Sequence, residues 1–115
     1  MAKLIFGGVE YPLVMTVGVL DHMAVKGYCV DAIPKFFNDP GQSFEQSVDN
    51  GIEFLMMLMD AGQTAAQIRE GAVPKELPAS DILRFLLTPG QVWGLCDAAI
   101  LDSVKRTVEA APGKN

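Results

Sequence analysis

Few side chains in this sequence could do chemistry, and they are scattered. His22 is the only histidine. It could act as a general base or a metal ligand, but its neighbour Asp21 would point about 100° away on a helix, so the two form no dyad. Cys29 and Cys96 could be nucleophiles, yet a catalytic thiol needs a base and only His22 is available. Zinc spacing is absent: there is no Cys-x-x-Cys and no second histidine. Gly7-Gly8 lacks a following Lys or Ser, so it fits a tight turn better than a phosphate cradle. The carboxylates Glu45, Asp49, Glu53 and Asp60 fall within about 80° of one another on a helical wheel, which makes a stripe rather than an acid–base pair. The expectation is a non-enzymatic protein with no catalytic, metal or cofactor-binding residues, whose two cysteines are buried free thiols.

Composition narrows the alternatives. The chain has 115 residues, half of them hydrophobic, and a formal net charge of −5. That length suits one domain, and the apolar half excludes intrinsic disorder. Lysines and arginines are dispersed, with only Lys105 and Arg106 adjacent, so no nucleic-acid footprint is expected. No apolar run approaches the roughly 18–20 residues that span a bilayer. The apolar run after Lys3 is cut by Gly7 and Gly8, so no leader is expected and the location is cytoplasmic. More apolar residues remain than a compact domain of this size requires.

The elements that must carry this surplus read as follows. Lys3 to Phe6 and Val9 to about Met15 form a hairpin around Gly7-Gly8, two residues that tolerate positive φ. Val9, Tyr11, Leu13 and Met15 share one strand face. Thr16 caps a helix to about Lys26, stopped by Gly27, with Val17, Leu20, Met23 and Ala24 as its apolar stripe. Pro34 starts a helical turn through Phe36 and Phe37. Ser43 opens the main helix in a capping box with Gln46, and Gly62 is its expected stop. Thr64 and Gln67 then cap a short helix to about Glu70. Ser80 caps another through Leu87. Thr88, Pro89 and Gln91 start a last helix to about Ala110. The predicted fold is α+β, mainly α-helical, with an N-terminal β-hairpin packed on four to five helices. Residues 1–111 form one domain and 112–115 a flexible polar tail.

Two helices are broader in apolar character than one packing contact needs. On the main helix Phe44, Val48, Ile52, Leu55, Leu58 and Met59 form a docking sector. Met56 projects into the acidic stripe, while Phe54 and Met57 project from the back. On the last helix Val92, Leu95, Cys96 and Ala99 form one stripe, and Trp93, Ile100, Val104 and Val108 another. Asp102, Lys105, Arg106 and Glu109 form its polar wedge. Phe54, Met56, Met57 and Trp93 are therefore the expected partner-binding residues, because Met adapts to varied shapes and Trp anchors interfaces. The neighbouring carboxylates would suit a basic amphipathic helix.

The layout resembles the tail assembly chaperones of long-tailed, siphovirus-type phages and prophages. The resemblance runs through the hairpin Ile5-Phe6-Gly7-Gly8-Val9-Glu10-Tyr11-Pro12-Leu13 and the segment Thr16-Val17-Gly18-Val19-Leu20. It continues through the Ile/Leu/Met-rich helix ending at Asp60-Ala61-Gly62 and the Leu87-Thr88-Pro89 helix start, where Gly90 departs from the helix former expected. It implies a homo-oligomeric protein of the host cytoplasm that coats the tape-measure protein, is displaced by the tail-tube protein, and is absent from the mature tail. Two other readings remain open. One is a small acidic regulatory adaptor or inhibitor that binds a basic partner through Glu45, Asp49 and Glu53. The other is a tail-completion or connector component, which would stay in the particle. In the family it resembles, the short chaperone is often translated together with a longer frameshifted form, and whether this chain has one is left open by the sequence. With such a form, the gene should carry a slippery heptamer across the Gly113-Lys114 codons, and codons unable to form one would remove that expectation.

Overall fold

The computed structural model describes residues 2–113, with side chains described through Val104. Strands β1 (Lys3–Phe6) and β2 (Val9–Pro12) form an antiparallel hairpin, followed by α1 (Val17–Val25), a 3₁₀ turn (Val30–Ala32), α2 (Pro34–Phe37), α3 (Phe44–Glu70), α4 (Ser80–Leu86) and α5 (Pro89–Gly113). This is the expected α+β architecture, with the hairpin packed against five helices. Val108 and the polar-wedge residues Lys105, Arg106 and Glu109 have side chains outside the described residues. So do Lys114 and Asn115 of the expected tail; the α5 backbone reaches Gly113.

The hairpin forms because Gly7 and Gly8 both take positive φ, 58° and 77°, as a two-residue turn between twisted strands requires. That register sets Leu4 opposite Tyr11, and both are buried against the helices. Two strands are marginal alone, and this pair is held from outside. The Ala2 amide donates to the Asp102 carboxylate on α5, and the Tyr11 hydroxyl donates to the Glu76 carbonyl at 2.9 Å.

α3 is the axis of the molecule and differs from expectation in one instructive way. Ser43 caps it, its hydroxyl accepting from the Gln46 amide at 3.1 Å. The reciprocal half of the box is missing, since the Gln46 side chain donates to Asn50 instead. Gly62 does not stop the helix, which continues to Glu70 and ends at Gly71 in the left-handed conformation, φ 68°. Thr64 and Gln67 therefore lie inside α3 and cap nothing. Gly62 is there for packing. A Cβ at Gly62 would overlap the Pro12 carbonyl oxygen and lie 2.8 Å from its carbon, so β2 crosses α3 backbone to backbone. Just beyond, the Val14 amide donates to the Leu58 carbonyl at 3.3 Å. Gly51 does the same for α5, where a Cβ would lie 2.8 Å from Val92 Cγ1. At about 100° per residue, Gly51, Leu55, Leu58 and Gly62 share one stripe, and all four are buried.

The apolar stripe of α1 is rotated from expectation. Val19 and Met23 face the core, while Val17 and Ala24 face outward. The Thr16 cap holds, with its hydroxyl accepting from the Val19 amide at 3.3 Å. α5 starts with the full reciprocal box: Thr88 Oγ1 accepts from Gln91 N, and Gln91 Oε1 accepts from Thr88 N. That box compensates for Gly90 in the first turn. No helix among the described residues is long and apolar enough to cross a membrane.

The crossing at Gly62 should dominate substitution effects. Gly62→Ala improves intrinsic helix propensity by about 1 kcal/mol, yet overlap with Pro12 should turn this into a net loss of about 3 kcal/mol. Gly71→Ala has open space around it and should cost only about 1 kcal/mol for its left-handed φ. Urea unfolding of the two variants measures the difference.

Candidate partner-binding surfaces

The circumference of α3 divides into four sectors. The core sector runs through Ser47, Gly51, Ile52, Phe54, Leu55, Leu58, Met59 and Gly62, all buried. On the opposite side Glu45, Asp49, Glu53 and Asp60 are exposed and form an acidic ridge. A groove lies on each flank of that ridge.

The first groove, between α1 and α3, has a volume of about 460 Å³. Its α3 wall is Met57, Asp60, Ala61, Thr64 and Ile68; its α1 wall includes Gly18, Val19 and His22. Gly18 and Ala61 keep it shallow-walled and open. Ile68 is 79% exposed, so the far end is an uncovered apolar side chain.

The second groove, about 470 Å³, lies between the first half of α3 and the α4–α5 junction. Phe44, Val48, Ile52, Leu87, Pro89 and Val92 supply its apolar surface, while Glu45, Asp49 and Arg84 supply its charges. Phe44 is 61% exposed and meets Trp93 edge-on, with ring centroids 5.9 Å apart. α4 beside it buries only Leu83 and turns Ile82, Phe85 and Leu86 outward, Phe85 being 92% exposed.

The four residues expected to bind a partner are not brought together. Phe54 is fully buried and stacks on Phe37 at 5.5 Å, so it is a core residue and not a surface one. The wheel misplaced it because the core sector is centred on the small residues Gly51 and Gly62, which carry no apolar signal of their own. Met56 and Met57 are half-buried against the core, and Met57 lines the α1–α3 groove. Trp93 is half-buried behind Phe44, and its Nε1 is buried with no acceptor among the described residues. Met57 and Phe44 lie about 20 Å apart along the helix axis, at 1.5 Å per residue.

The first groove continues Met57 through Ala61 and Thr64 to Ile68, a helical i, i+4, i+7, i+11 series. Reading Gly62 as a stop hides it. On the acidic ridge, Asp49 pairs with Arg84 of α4, and Glu53 pairs with Lys26 at 2.7 Å. Two of the three carboxylates that an acidic adaptor would use are thus already engaged within the chain. Among the described residues no group of three or more His, Cys, Asp or Glu could hold a metal ion. His22 is exposed on the α1 groove wall.

No protein-family model, curated protein or solved structure matches this chain.

The cysteines differ from the expectation of two buried thiols. Cys96 is buried and its Sγ donates to the Gly51 carbonyl at 3.6 Å, whereas Cys29 is exposed. Burial pushes the Cys96 thiol well above its ordinary range, and the negative charge of Asp97 pushes it the same way. A thiolate is the reactive form. A thiol reagent at neutral pH should therefore label Cys29 promptly in the native protein, and Cys96 only after denaturant is added. Mass spectrometry of the two labelled peptides checks this.

Proposed function

We propose that this chain is a phage tail assembly chaperone. In this reading it is a non-enzymatic, self-associating protein of the host cytoplasm. It holds the long, apolar, helical tape-measure protein in solution, yields to the tail-tube protein as the tube grows, and is absent from the finished tail. The observation that carries the reading is the pair of open apolar grooves flanking the acidic ridge of α3, on a chain with a net charge of −5. A long amphipathic helix aggregates unless its apolar face is covered. A protein that covers it needs shallow apolar surface for contact and charge for solubility. Shallow grooves also bind weakly, copy by copy, so many copies can hold a long helix and still be displaced.

The adaptor reading has less support, because Asp49 and Glu53 are already paired within the chain. A tail-completion role would require the chain to remain in the particle.

Co-expression with the tape-measure protein of the same gene cluster tests the proposal. The tape-measure protein should move from the insoluble to the soluble fraction. Met57→Glu, which places a charge in the α1–α3 groove, should reverse much of that gain. If the tape-measure protein is no more soluble with the chain than without it, the reading fails.

A further inference from the structure

We infer that the groove between the first half of α3, α4 and the start of α5 docks a helical segment of a partner protein in which lysine or arginine lies beside large apolar side chains. The inference builds on the proposed binding of apolar helical protein and adds the chemistry of the segment bound.

The shape argues for a helix. Glu45, Val48, Asp49 and Ile52 form one wall. Their spacing is i, i+3, i+4, i+7, a two-turn ridge of α3. A partner helix presents knobs at the same spacing and packs against such a ridge. Phe44 at one end and Leu87 with Pro89 opposite leave apolar surface for those knobs.

The charge argues for a basic segment. Asp49 and Arg84 face each other as an ion pair, which leaves Glu45 with no cationic partner among the described residues. The surrounding chain adds to this. Residues 36–68 contain Asp39, Glu45, Asp49, Glu53 and Asp60 and no lysine or arginine. A lysine or arginine can lay its methylenes on the apolar floor while its charged end reaches Glu45 at the rim. An acidic segment would meet Glu45 with unrelieved like charge, since Asp49 is already engaged by Arg84.

Trp93 makes the test direct, since it is the only tryptophan and touches Phe44, which lines the groove. The full chain is titrated with a Leu/Lys amphipathic helical peptide about five turns long, and separately with a Leu/Glu peptide of the same apolar face. The Leu/Lys peptide should change Trp93 emission saturably and bind at least about tenfold more tightly than the Leu/Glu peptide. Glu45→Lys should weaken the Leu/Lys peptide about tenfold, and Glu45→Gln by less. Val73→Ser, at an exposed residue that lines neither groove, should change it by less than about twofold. Circular dichroism confirms that the variants are folded.

Equal binding of the two peptides overturns the inference, as does binding insensitive to Glu45→Lys. Loss of binding in Met57→Glu also overturns it, by assigning the peptide to the α1–α3 groove. Light scattering of the chain alone completes the test. Self-association that Glu45→Lys abolishes would make a second copy the occupant and overturn the partner assigned here. Each of these results is independent of the co-expression outcome. A tape-measure protein solubilised without Leu/Lys binding would refute the inference and leave the chaperone reading standing.

Discussion

The fold depends on two places where α3 carries no side chain. At Gly62 the β2 backbone lies directly on the helix, and at Gly51 Val92 of α5 does so. Both glycines lie on the stripe that also carries Leu55 and Leu58. The hairpin and α5 are therefore clamped to one side of α3 at points about three turns apart. Close to these two contacts the Val14 amide donates to the Leu58 carbonyl and the Cys96 thiol to the Gly51 carbonyl. A mid-helix glycine costs about 1 kcal/mol relative to alanine; here the dispersion contact and burial gained by close approach offset it.

The grooves follow from a mismatch of lengths. α3 has 27 residues, α1 has 9 and α4 has 7. At 1.5 Å per residue, α3 is about 40 Å long and its two flanking helices are each under about 15 Å. Neither can cover its flank of α3. Met57 and Ile68 are left beside α1, and Phe44 and Val48 beside α4. The Lys26–Glu53 and Asp49–Arg84 pairs pin the short helices where they do touch. Such exposed pairs contribute little to stability, about 0–1 kcal/mol each. Their main effect is to use up charge that the acidic ridge would otherwise present.

Local rules made most of the elements legible. The Gly7-Gly8 turn, the Thr16, Ser43 and Thr88 caps, the Pro34 helix start and the α5 stripe of Val92, Cys96 and Ala99 all depend on neighbours within a few residues. Two of the misreadings, at Gly62 and Phe54, share one cause, which is that small residues have no hydrophobic signature. Gly62 read as a stop because helix stops are commonly glycine, and its packing role depends on Pro12, fifty positions earlier in the chain. Phe54 read as spare because a wheel weighted by apolar side chains could not see that Gly51 and Gly62 set the centre of the core. Val17 falls within the expected α1 stripe and Val19 outside it because α1 is apolar on both sides, and only its position over α3 selects the buried one.

The sequence by itself determined the class of structure, the Gly7-Gly8 turn, the Thr16, Ser43 and Thr88 caps, and a surplus of apolar residues. These are properties of composition and of spacing along the chain. Only the tertiary structure decided which of the surplus is spare. Phe54 was drawn into the core, Trp93 was placed behind Phe44, and the open surface was assigned to two grooves on either side of an acidic ridge. The physical reason is that burial is a property of pairs of elements. A side chain is covered or exposed according to how closely a neighbouring backbone approaches, and here glycines on one helix set that approach for partners distant in the sequence.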